Sequence, residues 1–287
     1  MRSAVAAVLT AGVVLSACAL FADLGGLSDG RMDLDADIEP RPLTDSGAAE
    51  EGSDAPDAEH LSDGGLDAEA GEECKGSKGP APVRVGSYCI DSTEVTNADY
   101  DEFLAAKAGD TSGQPSECSW NVSFTREFGG PKDGPVRAVD WCDALAYCTW
   151  AGKRLCGRVG GGPTPLAVLS NPAASEWFRA CSHDGTRAYP YGGTRDANAC
   201  NTYGGSGPAP VGSFPGCEGG YPGLFDMSGN LWEWEDACED VDGGSRCVLR
   251  GGSYAANNNG ACATTAKVRR DRGTTSDITI RCCSDLN

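Results

Sequence analysis

Hydrophobic residues are distributed unevenly along the chain, and their pattern divides it into three parts. Residues 4–15 form an almost unbroken apolar run without a charged residue. Residues 19–73 show no apolar periodicity over any useful window. From Cys74 onward, short apolar segments are separated by Gly, Pro, Asn and Asp, which is typical of a domain rich in turns. We therefore expect a leader at residues 1–18, a linker at 19–73 and one folded domain at 74–287.

The domain pattern predicts two helices and several short strands. Residues 96–99 have the spacing of a capping box that opens the first helix. The apolar face of this helix consists of Tyr100, Phe103 and Leu104. Asp140 is suited to cap a second helix over residues 141–150, and residues 83–90 resemble a strand. Further short segments lie around Tyr189, Val211, Phe225, Val248 and Ile280. The pattern predicts an α+β domain with little regular secondary structure.

The amino terminus resembles a bacterial export signal. The apolar run is shorter than the roughly 20 residues that a membrane-spanning helix needs. It ends in Leu15-Ser16-Ala17-Cys18, which resembles a lipobox, in which the cysteine is lipidated. The alternative is a plain signal peptide, with Cys18 incidental. We expect an anchor at Cys18 that holds the protein in the cell envelope, and Ala19 in the next position favours the outer membrane.

Most of the net charge of −19 lies in the expected linker. Residues 19–73 contain 17 Asp and Glu against 2 Arg, whereas residues 74–287 contain 25 acids and 20 bases. A segment with this composition buries too little apolar surface to fold and repels itself, so we expect a disordered spacer. A cation-binding tail is the alternative. The acidity argues against nucleic acid as a partner.

Fourteen of the 15 cysteines lie in the expected domain, and an even number in an exported chain indicates a disulfide framework. Zinc binding is the weaker alternative, because the chain has no C-x-x-C pair and only His60 and His183. A catalytic Cys–His pair would have to use His183 and is not expected. The disulfide candidates are Cys74, Cys89, Cys118, Cys142, Cys148, Cys156, Cys181, Cys200, Cys217, Cys238, Cys247, Cys262, Cys282 and Cys283.

Geometry excludes two of the conceivable disulfides. Cys142 and Cys148 lie six residues apart on the second predicted helix, a rise of about 9 Å. A disulfide joins Cα atoms about 4.4–6.8 Å apart. Cys282 and Cys283 are neighbours on a predicted final strand and point to opposite faces. Each of these four cysteines should therefore have a separate partner.

A series of motifs in fixed order resembles the formylglycine-generating enzyme (sulfatase-modifying factor) family. They are DSTEVTN at 91–97, PVRAV at 135–139, YCTW at 147–150, KRL at 153–155, SEW at 175–177, YPYG at 189–192, PVGS at 210–213, GLFDMSGNLWEW at 223–234, RGGSY at 250–254 and RC at 281–282. The resemblance covers about residues 83–284. It implies a variant of the C-type-lectin-like fold that often binds calcium.

A calcium site is predicted around the longest of these motifs. Asp226 and Glu233 flank a Gly-Asn turn and supply carboxylate oxygens, which calcium prefers. The resemblance implies the ligand set Asp226, Gly229, Leu231 and Glu233, with the glycine and leucine acting through their carbonyls. The alternative is that the two carboxylates only cap turns. The family's second calcium site would begin at Asn201 and Thr202, but the loop that follows is short and lacks an Asp, so calcium is not expected there.

The catalytic residues of the family are largely missing. Family oxidases use O₂ and two cysteines, five residues apart, that bind copper as thiolates and convert a substrate cysteine to formylglycine. These positions fall here on Ala256 and Ala261, with Cys262 one residue beyond. We do not expect copper, and we expect Cys262 to form a structural disulfide. Its candidate partners are Cys282 and Cys283.

Three functions stay open at this point. The favoured one is a monomeric, non-catalytic module that binds an unknown protein or small-molecule ligand. The second is an oxidase with a rearranged copper site, in which Ser253, which matches a polar active-site residue of the family, and Cys262 would be catalytic. The third is a structural envelope lipoprotein. Residues 257–260 are a polar Asn-Asn-Asn-Gly run, which would either rim the place of the family's catalytic site or form an exposed turn.

Overall fold

The computed structural model describes residues 73–126, 129–202, 204–256, 260–271 and 276–287. The expected lipobox, the acidic linker and most of the Asn-rich run therefore lie outside the described residues. No helix within the described ranges is long and apolar enough to cross a bilayer.

The two helices predicted from the sequence are present. Helix α1 spans Asn97–Lys107 and α2 spans Trp141–Trp150. Each begins with a capping box, in which the cap side chain, Thr96 or Asp140, accepts the backbone N–H of the third helical residue. The carboxylate of that third residue accepts the N–H of the cap in return. Local sequence therefore decides where both helices start.

A third helix, α3, spans Glu176–Ser182 and was not predicted. Its cap is Ser175, whose side chain accepts the N–H of Phe178 at 3.1 Å. Seven residues make fewer than two turns, too short for an apolar period to stand out. The helix is nevertheless important for the site, because it carries the buried side chain of Trp177 into the core.

The first sheet has the strand order β1-β2-β8-β3, with all neighbours antiparallel. Its strands are β1 Pro82–Val85, β2 Tyr88–Asp91, β3 Arg154–Leu155 and β8 Cys282–Asp285. The prediction of one strand over residues 83–90 is wrong, because the chain reverses there to form a hairpin. Gly86 has a φ of +62° at the turn, a conformation that favours glycine.

The second sheet has the order β6-β5-β4-β7, with β7 parallel to β4. Its strands are β4 Trp232–Val241, β5 Gly244–Arg250, β6 Thr265–Arg269 and β7 Ile278–Thr279. Of the short segments predicted from the sequence, the one at Val248 lies on β5, and Ile280 directly follows β7. The segments at Tyr189, Val211 and Phe225 lie in loops rather than strands.

Seven disulfides pair all fourteen domain cysteines, so the disulfide-rich domain is confirmed. The pairs are Cys74–Cys89, Cys118–Cys142, Cys148–Cys282, Cys156–Cys283, Cys181–Cys262, Cys200–Cys217 and Cys238–Cys247. Cys142 and Cys148 have separate partners, as geometry requires. The expected partners of Cys262 are wrong. Because the two cysteines of β8 are bonded to α2 and to the chain after β3, Cys262 bonds to Cys181 on α3 instead.

The core consists of two main apolar clusters. One joins α1 and α2 to the second sheet and includes Trp234 and Ile280. The other joins the first sheet to α3 and includes Trp177 and Met227. Arg281 follows Ile280 directly, is fully buried, and donates hydrogen bonds to main-chain or side-chain groups of β2, β4 and the loop before β4. It therefore ties the two sheets together.

Candidate functional site

Three carboxylates that are distant in sequence come together in the interior. Glu94, Asp226 and Glu233 are 0%, 4% and 1% exposed. Among the described residues, the cation that contacts this group is Arg281, whose Nε donates to Glu233 Oε1 at 2.9 Å. Three acids and one guanidinium leave a deficit of positive charge in a buried place, where an unpaired charge is costly.

The pKa values of these acids reflect that deficit. Burial raises the pKa of Glu94 well above its usual range, and the nearby carboxylates of Asp226 and Glu233 raise it further. Burial also raises the pKa of Asp226 and of Glu233, while Arg281 lowers both. A divalent cation at this place would offset the repulsion and favour the ionised forms.

The turn between the two predicted carboxylate ligands is unusually tight. Asp226 and Asn230 have left-handed backbones, with φ of +61° and +53°, and Gly229 has a φ of +81°. A side chain at Gly229 would place its Cβ 2.3 Å from the carbonyl oxygen of Asn201. Only glycine fits there, because the neighbouring loop passes directly against it.

Hydrogen bonds hold this turn with its amides directed into the protein. The Gly229 N–H donates to the carbonyl of Gly251 at 3.0 Å, and the Leu231 N–H donates to Glu94 Oε1 at 2.9 Å. The Asn230 side chain also donates to Glu94. The carbonyls of Gly229 and Leu231 accept no hydrogen bond from the described part of the chain. Their oxygens therefore stay available as ligands.

Only part of the predicted ligand set is free to bind a metal ion. Asp226 uses Oδ2 to accept the Gly212 N–H at 2.6 Å, which leaves its second oxygen for a ligand. Both oxygens of Glu233 already accept hydrogen bonds, from Arg281 and from Trp177 Nε1 at 2.6 Å. No three His, Cys, Asp or Glu side chains in the described ranges are arranged to hold a metal by themselves. Carbonyl oxygens would thus have to complete the shell.

Asn201 and Thr202, where the family has a second calcium site, belong to the same hydrogen-bond network. The Asn201 side chain donates to Asn230 Oδ1 and to the Gly207 carbonyl, both at 3.0 Å. The Asn201 carbonyl accepts the Asn230 N–H at 2.8 Å. Asn201 therefore supports the turn at Gly229, and no metal-binding cluster of acidic side chains forms around it in the described residues.

The segment after β5, onto which the family's catalytic positions are predicted to fall, has a different character. Ser253 is 1% exposed, and its hydroxyl donates to Asp277 Oδ2 at 2.9 Å and accepts the Ala256 N–H at 3.1 Å. Cys262 is bonded to Cys181, with the two Cα atoms 5.6 Å apart. His183 caps the carboxyl end of α3, and no described cysteine is a free thiol that could pair with it.

A second buried ion pair positions the start of this segment. Arg250, fully buried, donates from Nε to Glu235 Oε2 at 2.6 Å, and Glu235 also accepts hydroxyl hydrogen bonds from Thr164 and Ser175. Arg250 immediately precedes Gly251, so this ion pair fixes the point at which the segment after β5 begins.

Several residues of the site could not be given a role from the sequence alone. Glu94, Trp177 and Arg281 each lie in a motif that carries the family resemblance, and this was the available signal. Their contacts join positions between 48 and 190 residues apart, such as Glu233–Arg281 and Asp91–Arg281. Spacing along the chain cannot identify partners at such separations.

The fold and the site together define a class: the formylglycine-generating-enzyme type of the C-type-lectin-like fold. The structure of PvdO from Pseudomonas aeruginosa is similar, with a TM-score of 0.50 at 19% identity, covering 69% of this chain and 80% of that one. Residues 45–286 match the Sulfatase-modifying factor enzyme 1-like domain. The chain therefore belongs to this family.

Curated relatives of similar identity differ in activity. The chain is 29% identical to the mouse inactive C-alpha-formylglycine-generating enzyme 2, covering 77% of this chain and 82% of that protein. It is also 29% identical to the mouse formylglycine-generating enzyme, covering 72% and 69%. A hercynine oxygenase of Mycolicibacterium smegmatis matches at 29%, but over only 47% of its own length. Overall identity thus does not separate catalytic from inactive members.

Proposed function

We propose that this protein is a lipid-anchored binding or interaction module of the cell envelope, stabilised by calcium and without formylglycine-generating oxidase activity. The observation that carries the proposal is the cystine between Cys181 and Cys262. It removes the thiol nearest to the family's copper positions, which are themselves Ala256 and Ala261.

Copper chemistry of the family type needs thiolates, because soft Cu(I) is held by soft, deprotonated sulfur. In the described residues every cysteine is in a disulfide. Ser253 keeps the place of a family active-site residue, but its hydroxyl is engaged with Asp277 and lies below the surface. The segment after Arg250 is therefore suited to stabilise the fold rather than to bind copper.

The calcium part of the proposal is supported by charge. Glu94, Asp226 and Glu233 share Arg281, and an ion with two positive charges would balance the group. Asp226, with the carbonyls of Gly229 and Leu231, would supply the ligands, and Glu233 would contribute where its hydrogen bonds allow. Calcium would then rigidify the turn rather than take part in a reaction.

The proposed lipid anchor at Cys18 is supported by the pairing of the other cysteines. The fourteen domain cysteines pair among themselves, which leaves Cys18 as the one cysteine of the 15 in the sequence outside these disulfides. It stands at the end of the lipobox-like run, where lipidation would use its sulfur. A plain cleaved signal peptide is distinguished from this by mass spectrometry of the amino terminus of the exported protein.

A rearranged oxidase is the second candidate, since relatives with that activity are as similar as inactive ones. Two measurements on the exported, oxidised protein distinguish the binding module from the oxidase. They are a Cu(I) titration and an activity assay on a cysteine peptide that carries the sulfatase motif. We expect no free domain thiol, no stoichiometric copper and no peptide oxidation. Tight copper binding with turnover would overturn the proposal.

A variant that carries both Ala256→Cys and Ala261→Cys is the matched control for that titration. It restores two thiols at the family positions and leaves the Cys181–Cys262 disulfide unchanged. We expect it to bind about one Cu(I) per chain, because two thiolates match the preference of that ion. Its response shows that the titration can detect a copper site on this scaffold.

A further inference from the structure

A mainly apolar groove of about 360 Å³ lies along helices α1 and α2, outside the site described above. Its apolar walls include Phe124, Leu145, Ala146 and Trp150, and the one charged side chain among its described lining residues is Lys107. None of its lining residues belongs to the carboxylate cluster or to the segment after Arg250. It is therefore a separate place on the molecule.

A second hollow of about 410 Å³ meets the groove at Trp150, which lines both. The charged side chains of this hollow are Lys75 and Lys78, and Lys78 Nζ lies 4.0 Å from the centre of a Trp150 ring. No Asp or Glu is among the described residues that line the groove or the hollow. Three lysines with no Asp or Glu side chain among the described lining residues are notable in a domain in which acids outnumber bases. Nearby carboxylates are that of Asp110, which interacts with Lys107 from outside the lining, and that of Asn287, the last residue of the sequence, at the edge of the hollow.

We propose that this groove binds a small organic anion with an aliphatic or aromatic body. The apolar body would displace water from Phe124, Leu145 and Trp150, and the anionic group would pair with the ammonium of Lys107 at one end or Lys78 at the other. Positive charge beside an apolar wall selects against cations and neutral polar molecules of the same size.

The shape of the groove favours a small molecule over a protein. Its volume lies in the range of small-molecule pockets, roughly 300–1,000 Å³. The large hydrophobic side chains that are well exposed, Trp120, Val122 and Val241, are not among its lining residues. An interface with a second copy or another protein would require apolar side chains that project from the surface.

Decanoate tests the proposal, with decyltrimethylammonium as a probe that has an alkyl tail of similar length and the opposite charge. Calorimetric titration of the full chain should show saturable binding of one decanoate and much weaker binding of the cation. Lys107→Gln should weaken decanoate binding roughly five-fold to ten-fold, because it removes a charge-assisted contact. Lys132→Gln, an exposed lysine outside the groove, should leave it unchanged.

Ala146→Phe should abolish binding, because the larger side chain fills the groove. Thermal unfolding shows whether the Ala146→Phe variant is folded. If it is not, Thr149→Phe, at the exposed edge of α2, blocks the groove instead. Equal, non-saturating uptake of both probes would overturn the proposal, as would decanoate binding that survives both substitutions. Concentration-dependent dimerisation lost in the blocked variants, without decanoate binding, would also overturn it in favour of self-association. The proposed calcium and copper properties do not affect any of these outcomes.

Discussion

The turn before β4 and the segment after β5 lie side by side but have changed in different ways. They are joined by two main-chain hydrogen bonds, Gly229 N–H to Gly251 and Tyr254 N–H to Asn230. The turn has the acids and the glycine predicted to form a calcium motif, whereas the neighbouring segment has alanine at both predicted copper positions. On this assignment, the scaffold keeps its buried supports while its reactive groups are replaced.

The two regions are also stabilised by different interactions. The turn depends on buried charge, with Glu94, Glu233 and Arg281 all fully or almost fully buried. The segment depends on covalent attachment through Cys262 and on the hydrogen bonds of Ser253, one of them to the carboxylate of Asp277. Substitutions that affect one region and not the other should separate these contributions.

Arg281→Met should have the largest effect. Removal of the guanidinium leaves the carboxylate of Glu233 buried beside two other acids, which costs about 3–5 kcal/mol of the free energy of unfolding. Urea unfolding at neutral pH measures the loss. Arg269→Met, which breaks an exposed pair with Asp271, is the control and should cost under about 1 kcal/mol. Similar losses in both variants would contradict the idea that buried charge stabilises the turn.

Replacement of Cys181 and Cys262 together by alanine should have the next largest effect. The disulfide closes a separation of 81 residues, and its loss should cost about 2–4 kcal/mol. The comparison variant lacks Cys238 and Cys247, which are 9 residues apart, and the entropic model predicts a smaller loss there. A larger loss for the short loop would argue against that model.

Calcium removal should affect the turn and leave the disulfide segment unchanged. At a calcium concentration of about 100 times the dissociation constant, the bound ion should stabilise the fold by about 2.7 kcal/mol. Thermal unfolding with and without a chelator measures this. Asp226→Asn should reduce the calcium effect, while Ser253→Ala should preserve it. No calcium effect at any pH would remove calcium from the proposed function.

The calcium effect should also grow with pH. Without calcium, the raised pKa values of Glu94, Asp226 and Glu233 keep protons on these acids when the protein is folded. The unfolded chain releases those protons at lower pH, so the metal-free protein loses stability as pH rises above about 4.5, the ordinary range for these acids. Calcium binds the ionised forms, so the difference should be larger at pH 8 than at pH 5.

Ser253→Ala should have the smallest effect. It removes the hydrogen bond to Asp277 and the acceptor for the Ala256 N–H, at a cost of about 1 kcal/mol. Ser245→Ala, whose hydroxyl contacts Asp240 at an exposed position, is the matched control and should cost less. A loss above about 3 kcal/mol at Ser253 would indicate that this segment stabilises the fold more than the two hydrogen bonds of Ser253 suggest.

Local chemistry made parts of the fold predictable. The capping boxes at Thr96 and Asp140 fix the starts of α1 and α2 within a few residues, so no tertiary information was needed. The separate partners of Cys142 and Cys148 followed from the rise of one helix. The hairpin at Gly86 was missed, because a glycine inside a strand-like run is compatible with either a bulge or a turn.

The ligand set predicted for calcium is continuous in sequence, and it stays a prediction. Asp226, Gly229, Leu231 and Glu233 lie within eight residues, and the structure places the first three in a tight turn and Glu233 at the start of β4. Glu94 contributes a third carboxylate from before α1, and its role emerges only when the chain folds. The partner of Cys262 was predicted wrongly for a similar reason, because α3 was not predicted and Cys181 is part of it.

By itself, the sequence determined the family, the disulfide-rich α+β domain and the absence of paired cysteines at Ala256 and Ala261, because these depend on residue identity and order. Tertiary structure alone decided which cysteines pair, that three acids share Arg281, and that an apolar groove with a lysine rim lies along α1 and α2. Such features depend on contacts between residues far apart in the chain, and local propensity and spacing contain no information about those contacts.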